Sequence, residues 1–406
     1  MTKEKKLFIV IVSVYLASQQ FFNPLGAISQ QLGKFLFYAF TLIALIIALN
    51  KKNVSNNYPK KAYSLIIIGI LFSIFMGGTF HEQSINICII ASLPYLLSYL
   101  FLYILFKVNI SNYKIEKLLK TMVICSAIIY ISNLIVFPNK IFGVEKDEYD
   151  MSRGFARIGV PMIEIVVVYF FYSINQWILS KNKKSIFYII LCLLLIFMSL
   201  TRQIIIFSII AGVWFILIKA SKTKKMITLS VIIVCFIFII PKLEIYQTII
   251  NLTNNQIESN KDNEDIRITA WKFYTYKNQT NNLTYFLGNG VPSAGNSIWG
   301  NAYEKQTSPI TGNACFAVDV GWAGFYWYFG LLSVIGLLSL LLKCIIKRKT
   351  PNNQYLTYSC LFFLITSITS GPILNYNQIM CLCFIVYMIY SNQLSKSIYL
   401  KDLNSK

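Results

Sequence analysis

The sequence predicts an all-α integral membrane protein of about twelve transmembrane helices, with one long polar loop on the extracytoplasmic side. Three observations lead there. Of the 406 residues, 56% are hydrophobic and only 13% charged, with a mean hydropathy of +0.59, far more apolar than a soluble chain of this length. Twelve apolar runs follow one another, near 7–22, 33–49, 62–78, 86–106, 118–137, 158–178, 185–200, 203–219, 226–241, 320–342, 355–371 and 373–390, most of them close to the length a helix needs to cross a bilayer. One stretch alone, Lys242 to Val318, is long and polar, and between spans such a segment must lie on one side of the membrane.

The chain therefore divides into 1–241 (helices 1–9), 242–318 (the extracytoplasmic loop) and 319–406 (helices 10–12 and a tail). Leu7 to Ser18 reads as a first span rather than a removed signal peptide, because no small-residue cleavage site follows it and further spans come directly. With Lys3, Lys5 and Lys6 in the cytoplasm, the lysines at 51–61, 107–120, 181–184, 219–225, 343–349 and 396–406 fall on the same side. Together with Arg348 these are 25 of the 37 basic residues, against only Glu4, Glu116 and Asp402 among the acids. That is the positive-inside pattern, with both termini cytoplasmic. It accounts for the net charge of +21 without a nucleic-acid partner.

Arginine is distributed differently from lysine. Of only five arginines, Arg153, Arg157, Arg202 and Arg267 fall on the outer side. A guanidinium binds phosphate or carboxylate in a bidentate manner and stays charged when partly desolvated, so arginines from three outer loops can converge on one anionic group. For Arg153 and Arg267 pairing with local acids, Glu145 to Asp150 and Asp265, is an equal alternative. Arg202, in the tight turn Ser199 to Gln203, has no acid nearby in sequence.

The other outer segments carry weaker signals. Thr79 to Ser84 holds the single histidine, His81, beside Glu82; the two read as an acid–base couple or as a solvated hydrogen-bonded pair. Glu164, just inside a span, is either functional or paired with a neighbouring arginine. The nine cysteines lack CxxC spacing and eight lie in or beside apolar runs, so neither a disulfide framework nor a structural metal is expected. In the long loop, Ile266 to Lys277 suits an interfacial helix or a packed helix of an outer subdomain. Phe286 to Gly290 (FLGNG) offers backbone amides to an anion through Gly288 and Gly290.

Taken in order, Thr201-Arg202, Arg267 to Trp271, Gly288-Asn289-Gly290, and Asp319 leading to Gly330-Leu331 resemble the O-antigen polymerase and O-antigen ligase superfamily. The resemblance covers the span pattern of nearly the whole chain, on short motifs. The ligases typically carry a histidine where Asp319 stands here, which favours the polymerase. The Arg-x10-Gly motif of some polymerases is absent, Arg202 and Gly212 lying one residue too close.

The resemblance implies a C-type glycosyltransferase in a bacterial cytoplasmic (inner) membrane, without metal or other cofactor. Such an enzyme moves a glycan from a polyprenyl-pyrophosphate carrier to the hydroxyl of a second lipid-linked repeat unit, with a chain-length regulator as a further partner. Arg202 and Arg267, helped by Arg153 or Arg157, would clamp the pyrophosphate. Asp319 would orient or deprotonate the acceptor hydroxyl, its alternative role being to cap the helix that follows. Trp271, Tyr274, Trp299 and Tyr303 would stack on sugar rings. A ligase, or a flippase of lipid-linked oligosaccharide, is the competing reading; a flippase needs polar residues along a central pathway, which these spans lack apart from Glu164.

Overall fold

The computed structural model describes residues 3–19, 30–51, 58–137, 141–142, 159–180, 183–234, 266–277, 279, 281–304, 316–347 and 349–404. These are mainly helical, joined by turns and short irregular links, with no strand among them. In chain order the helices are α1 (Lys3–Ser18), α2 (Gln30–Leu49), α3 (Lys60–Phe80), α4 (Ile85–Val108), α5 (Asn112–Ile135), α6 (Ile163–Leu179), α7 (Lys183–Met198), α8 (Arg202–Lys219) and α9 (Lys222–Val234). Then come α10 (Ile266–Lys272), a π turn (Phe273–Lys277), α11 (Asn282–Leu287), α12 (Ile298–Glu304), a 3-10 turn (Ala317–Val320), α13 (Gly321–Ile346), α14 (Tyr355–Thr366) and α15 (Tyr376–Asn404).

A helix lies over each of the twelve apolar runs. Six segments, Gln31–Leu49, Lys60–Phe80, Ile85–Val108, Asn112–Ile135, Arg202–Lys219 and Ala317–Ile346, are long and apolar enough to cross a membrane; Lys6–Ser18, Ile163–Leu179, Lys184–Met198 and Tyr376–Ser391 are apolar but shorter. Large side chains such as Ile68, Leu71, Phe72 and Phe75 on α3 and Ile128, Ile131 and Ile135 on α5 stay exposed. So much uncovered apolar surface fits a membrane protein.

The most extensive helix–helix packing in the bundle is that of α3 on α13. Lipid offers no hydrophobic drive for helix association, so close approach depends on small residues. Here a Cβ on Gly69 would lie 2.0 Å from Ser333 Oγ, and one on Gly336 would lie 2.8 Å from the Ala62 carbonyl. Ser333 donates to the Ile66 carbonyl at 3.3 Å. Gly69→Leu is therefore expected to force α3 and α13 apart, at a cost of roughly 1–3 kcal/mol or more from overpacking. Gel filtration of the detergent-solubilised variant should show a lower melting midpoint than wild type, whereas Gly33→Leu, at a position with open space around it, should not.

Helix α13 is broken at Gly330, whose φ of 74° and ψ of 175° lie outside helical values. The break frees the Trp327 and Tyr328 carbonyls from their helical partners, and freed groups inside a membrane protein must be bonded again. The segment after α11 does this. Asn289 N–H donates to the Trp327 carbonyl at 2.8 Å and Gly290 N–H to the Tyr328 carbonyl at 3.1 Å. Gly288, Gly290 and Gly330 all have φ between 74° and 86°, which glycine adopts without steric cost. A Cβ on Gly288 would sit 2.4 Å from the Tyr328 carbonyl oxygen, one on Gly330 2.3 Å from that of Phe286, and one on Gly290 2.7 Å from that of Ser73. The Gly288–Gly290 strip is thus wedged between α3 and α13. Ser73 is seven residues before the end of α3, so the strip reaches roughly 10 Å below that end at 1.5 Å per residue.

Candidate functional site

A single turn organises one end of the bundle. Ser367 to Gly371, between α14 and α15, presents carbonyls to three other segments. Gln203 Nε2 donates to the Thr369 carbonyl at 2.9 Å, and Trp271 Nε1 to that of Ile368 at 2.9 Å. Gly321 N–H donates to the Ser370 carbonyl at 3.1 Å and Trp322 N–H to that of Ser367 at 2.9 Å. Gln203 follows Arg202, Trp271 lies one helical turn after Arg267, and Gly321 is two residues after Asp319. The segments bearing all three residues that the resemblance makes catalytic are therefore hydrogen-bonded to one turn.

Two of those residues act on each other electrostatically. Helix α10 packs on the 3-10 turn, and the Arg267 guanidinium acts electrostatically on the Asp319 carboxylate. Both side chains are exposed. Arg267 thus has an acid beside it, Asp319, from across the loop; Asp265 lies outside the described residues. The capping role for Asp319 falls away, because the carbonyls of Ser370 and Ser367 satisfy the first amides of α13. Arg202 starts α8 and is half-buried. Arg153 and Arg157 lie outside the described residues.

Beside this charged pair an open groove of about 570 Å³ runs between α10, the π turn, α11, α13 and α14, walled by Trp271, Tyr276, Tyr285, Trp322 and Tyr326 at its outer part and by Leu331, Val334, Leu338, Leu364 and Ile368 elsewhere. Arg267 and Trp271 are four residues apart on α10 and share a face. Along α13 the wall extends from Trp322 to Leu338, roughly 24 Å at 1.5 Å per residue. Leu331 and Leu338 are exposed apolar side chains, so the inner part of the groove opens onto the surface that lipid would cover. Both indole N–H groups are occupied, Trp322 Nε1 by the Leu364 carbonyl at 3.0 Å, which leaves ring faces rather than donors to a ligand.

Three expectations for the loop are corrected. Tyr274 is fully buried, edge-on to Trp327 with ring centroids 5.6 Å apart, and offers no face to a sugar. The amides of Gly288 and Gly290 are not open to an anion: Gly288 N–H donates to the Thr284 carbonyl at 2.8 Å and Gly290 N–H to that of Tyr328. His81 is partnered by Asn289 at 3.1 Å rather than by Glu82. Sequence missed Tyr276, Tyr285, Trp322 and Tyr326 as groove residues, although the four-residue spacing of Trp322 and Tyr326 at the start of a span was a signal for an aromatic pair on one face.

The short α3–α4 link holds the rest of the loop down. Asn289 Nδ2 donates to Gln279 Oε1 at 3.0 Å, so its Oδ1 faces His81, and the imidazole must donate from Nε2. The His81 ring stacks on Trp299 at 3.9 Å with an 11° tilt. Gln83 Nε2 donates to the Val291 carbonyl at 3.0 Å, while its Oε1 accepts from Ser293 N–H at 3.1 Å and Ser297 Oγ at 2.8 Å. Burial holds the His81 pKa below the usual imidazole value of 6.5, partly offset by the bond to Asn289. A depressed folded pKa means that the docked loop favours the neutral ring, so docking strength is full above about pH 6.5 and is lost as pH falls below it. The protection of residues 289–300 against hydrogen exchange, taken relative to the intrinsic amide rate at each pH, should fall on acidification in the wild type and lose that pH response in His81→Gln.

Glu164 is buried in the first turn of α6. It is hydrogen-bonded to Gln378, whose Oε1 also accepts from Asn375 Nδ2 at 3.2 Å. Asn375 N–H in turn donates to the Gly371 carbonyl at 3.0 Å, which links the buried carboxyl to the organising turn.

No protein-family model matches the sequence, and no curated protein is significantly similar to it.

Proposed function

We propose that the protein is a polysaccharide polymerase of the O-antigen type, a metal-independent glycosyltransferase of a bacterial cytoplasmic membrane with twelve spans and both termini inside. The observation that carries this reading is a groove whose wall joins five aromatic rings to exposed aliphatic side chains, with Arg267 and Asp319 four and three residues before the wall residues Trp271 and Trp322. A lipid-linked glycan offers the same three kinds of part, sugar rings and a hydrocarbon tail with a diphosphate joining them.

In the reaction, the acceptor hydroxyl oxygen attacks the anomeric carbon of the donor glycan and the bond from that carbon to the diphosphate oxygen breaks. Asp319 takes the hydroxyl proton, and the polyprenyl diphosphate leaves with the bonding electrons. Arg267, with Arg202, whose neighbour Gln203 is bonded to the organising turn, balances the charge growing on the leaving group. Trp271, Trp322 and Tyr326 bind sugar rings through their faces, and Leu331, Val334 and Leu338 guide the isoprenoid tail. Loss of the gene should leave a single repeat unit on the surface glycan, visible as a collapsed ladder on a gel, and Arg202→Ala should do the same. A flippase would instead leave no glycan and a ligase would leave unattached polymer; long chains surviving in Arg202→Ala would contradict the clamp.

A further inference from the structure

Helix α11 and the glycine strip after it sit deeper in the bundle than a surface loop would. Helices α3 and α13 run antiparallel, Gly69 lying against Ser333 and Ala62 against Gly336. Helix α3 has 21 residues, roughly 32 Å at 1.5 Å per residue, which matches the hydrocarbon core of a bilayer. Residues 282–290 can be placed along that length from both sides. A Cβ on Gly290 would lie 2.7 Å from the Ser73 carbonyl oxygen of α3, and one on Gly77 3.4 Å from that of Asn289. On the other side, a Cβ on Gly330 would lie 2.3 Å from the Phe286 carbonyl oxygen. Gly330 is nine residues past the start of α13, roughly 14 Å along it. Both helices therefore put the segment well inside their spans.

The segment meets the conditions that hydrocarbon sets. Irregular backbone at membrane depth must be bonded within the protein. Leu283 N–H donates to Asn281 Oδ1 at 3.1 Å, Thr284 N–H to the Asn281 carbonyl at 3.1 Å, and Gly288 N–H to that of Thr284 at 2.8 Å. The next two amides bond to the carbonyls freed by the break in α13. Thr284 and Asn289 are buried, and both donate to Gln279 Oε1, at 2.8 Å and 3.0 Å. Exposed polar side chains are confined to the entrance, at Asn281 and Asn282. Beyond it, Leu283 and Phe286, three residues apart on one face of α11, are 53% and 54% exposed. From Phe286 the exposed apolar surface continues past Gly330 onto Leu331, Ile335, Leu338 and Leu342 of α13.

We infer that residues 282–290 form a re-entrant segment, dipping into the bilayer from the loop side, whose Leu283 and Phe286 are covered by lipid acyl chains. The occupant follows from continuity: the apolar pair runs into a face of α13, and α13 lies in a segment long and apolar enough to cross a membrane, where lipid covers what protein does not. The expectation that 242–318 lies wholly outside the bilayer is narrowed accordingly. Leu283 and Phe286 are not part of the groove wall, so lipid contact there stands apart from the proposed glycan chemistry.

Site-specific photo-crosslinking of the full-length protein in phosphatidylglycerol nanodiscs tests this. p-Benzoylphenylalanine, whose excited ketone joins to nearby C–H carbons, is placed at Leu283 or at Phe286. Ile131, exposed on α5, is the lipid reference, and Ser221, exposed in the link between α8 and α9, is the water reference. Mass spectrometry should find one-lipid adducts at Leu283 and Phe286 in yields comparable with Ile131 and none at Ser221, with fragmentation placing the new bond on an acyl chain. If one of the two variants melts below wild type, the other decides. Lipid adducts no more abundant than at Ser221, attachment to the head group alone, or cross-links to another part of this chain or to a second copy would overturn the assignment.

Discussion

Arg267→Ala is expected to stop glycan chain extension while the protein remains inserted and folded. Arg267 is exposed, so its removal leaves no buried group stranded, and the loss falls on function. If the guanidinium stabilises charge on the departing diphosphate, its deletion should slow turnover by roughly 10²–10³-fold, the range for one preorganised donor. Lysine at this position keeps a charge but not the planar fork, and should recover little. Asp319→Asn should fall comparably. Because Arg267 and Asp319 interact, the double variant should be no worse than the poorer single one, as coupled residues are not additive. Independent, multiplying losses would mean that the two side chains do not work at one site.

Gly288→Val should abolish activity by a different route. The new side chain meets a φ of +81° and the Tyr328 carbonyl oxygen at 2.4 Å. The backbone conformation alone costs roughly 1–2 kcal/mol, and the overlap adds to it by lifting the glycine strip off the break in α13. The Trp327 and Tyr328 carbonyls would then lack acceptable partners inside the bundle, each costing roughly 1–3 kcal/mol. A lower melting midpoint and faster exchange across residues 284–291 are expected together with lost chain extension. Gly295→Ala is the control: φ is +76°, but no atom lies within 4 Å of its Cβ position, so only the backbone cost applies.

The helices were largely legible because apolar runs mark them directly; α8 begins at Arg202, directly after the tight turn that Ser199 to Gln203 suggested. The organising turn was not legible. Ser367 to Gly371 sits within the apolar run 355–371 and reads as membrane, although Gly371-Pro372 is a breaker signal that ends a helix. His81 was read with its sequence neighbour Glu82, yet its partner Asn289 is 208 positions away, a contact that no local pattern encodes. Aromatic content marked the region of the groove, but which ring faces outward depends on packing: Trp271 lines the groove while Tyr274, three residues later, is in the core. Gly288-Asn289-Gly290 and Gly330-Leu331 looked like separate motifs, and only the fold shows that one repairs the break made by the other.

The most direct test of the groove as the polymerising site is a reconstituted assay. Purified protein in lipid nanodiscs is given a defined polyprenyl-diphosphate oligosaccharide, and products are read by mass spectrometry. The account predicts glycans of two or more repeat units with matching release of polyprenyl diphosphate, both lost in Arg267→Ala. Chain extension that persists undiminished in Arg267→Ala, or intact substrate after incubation with folded wild-type protein, would contradict it.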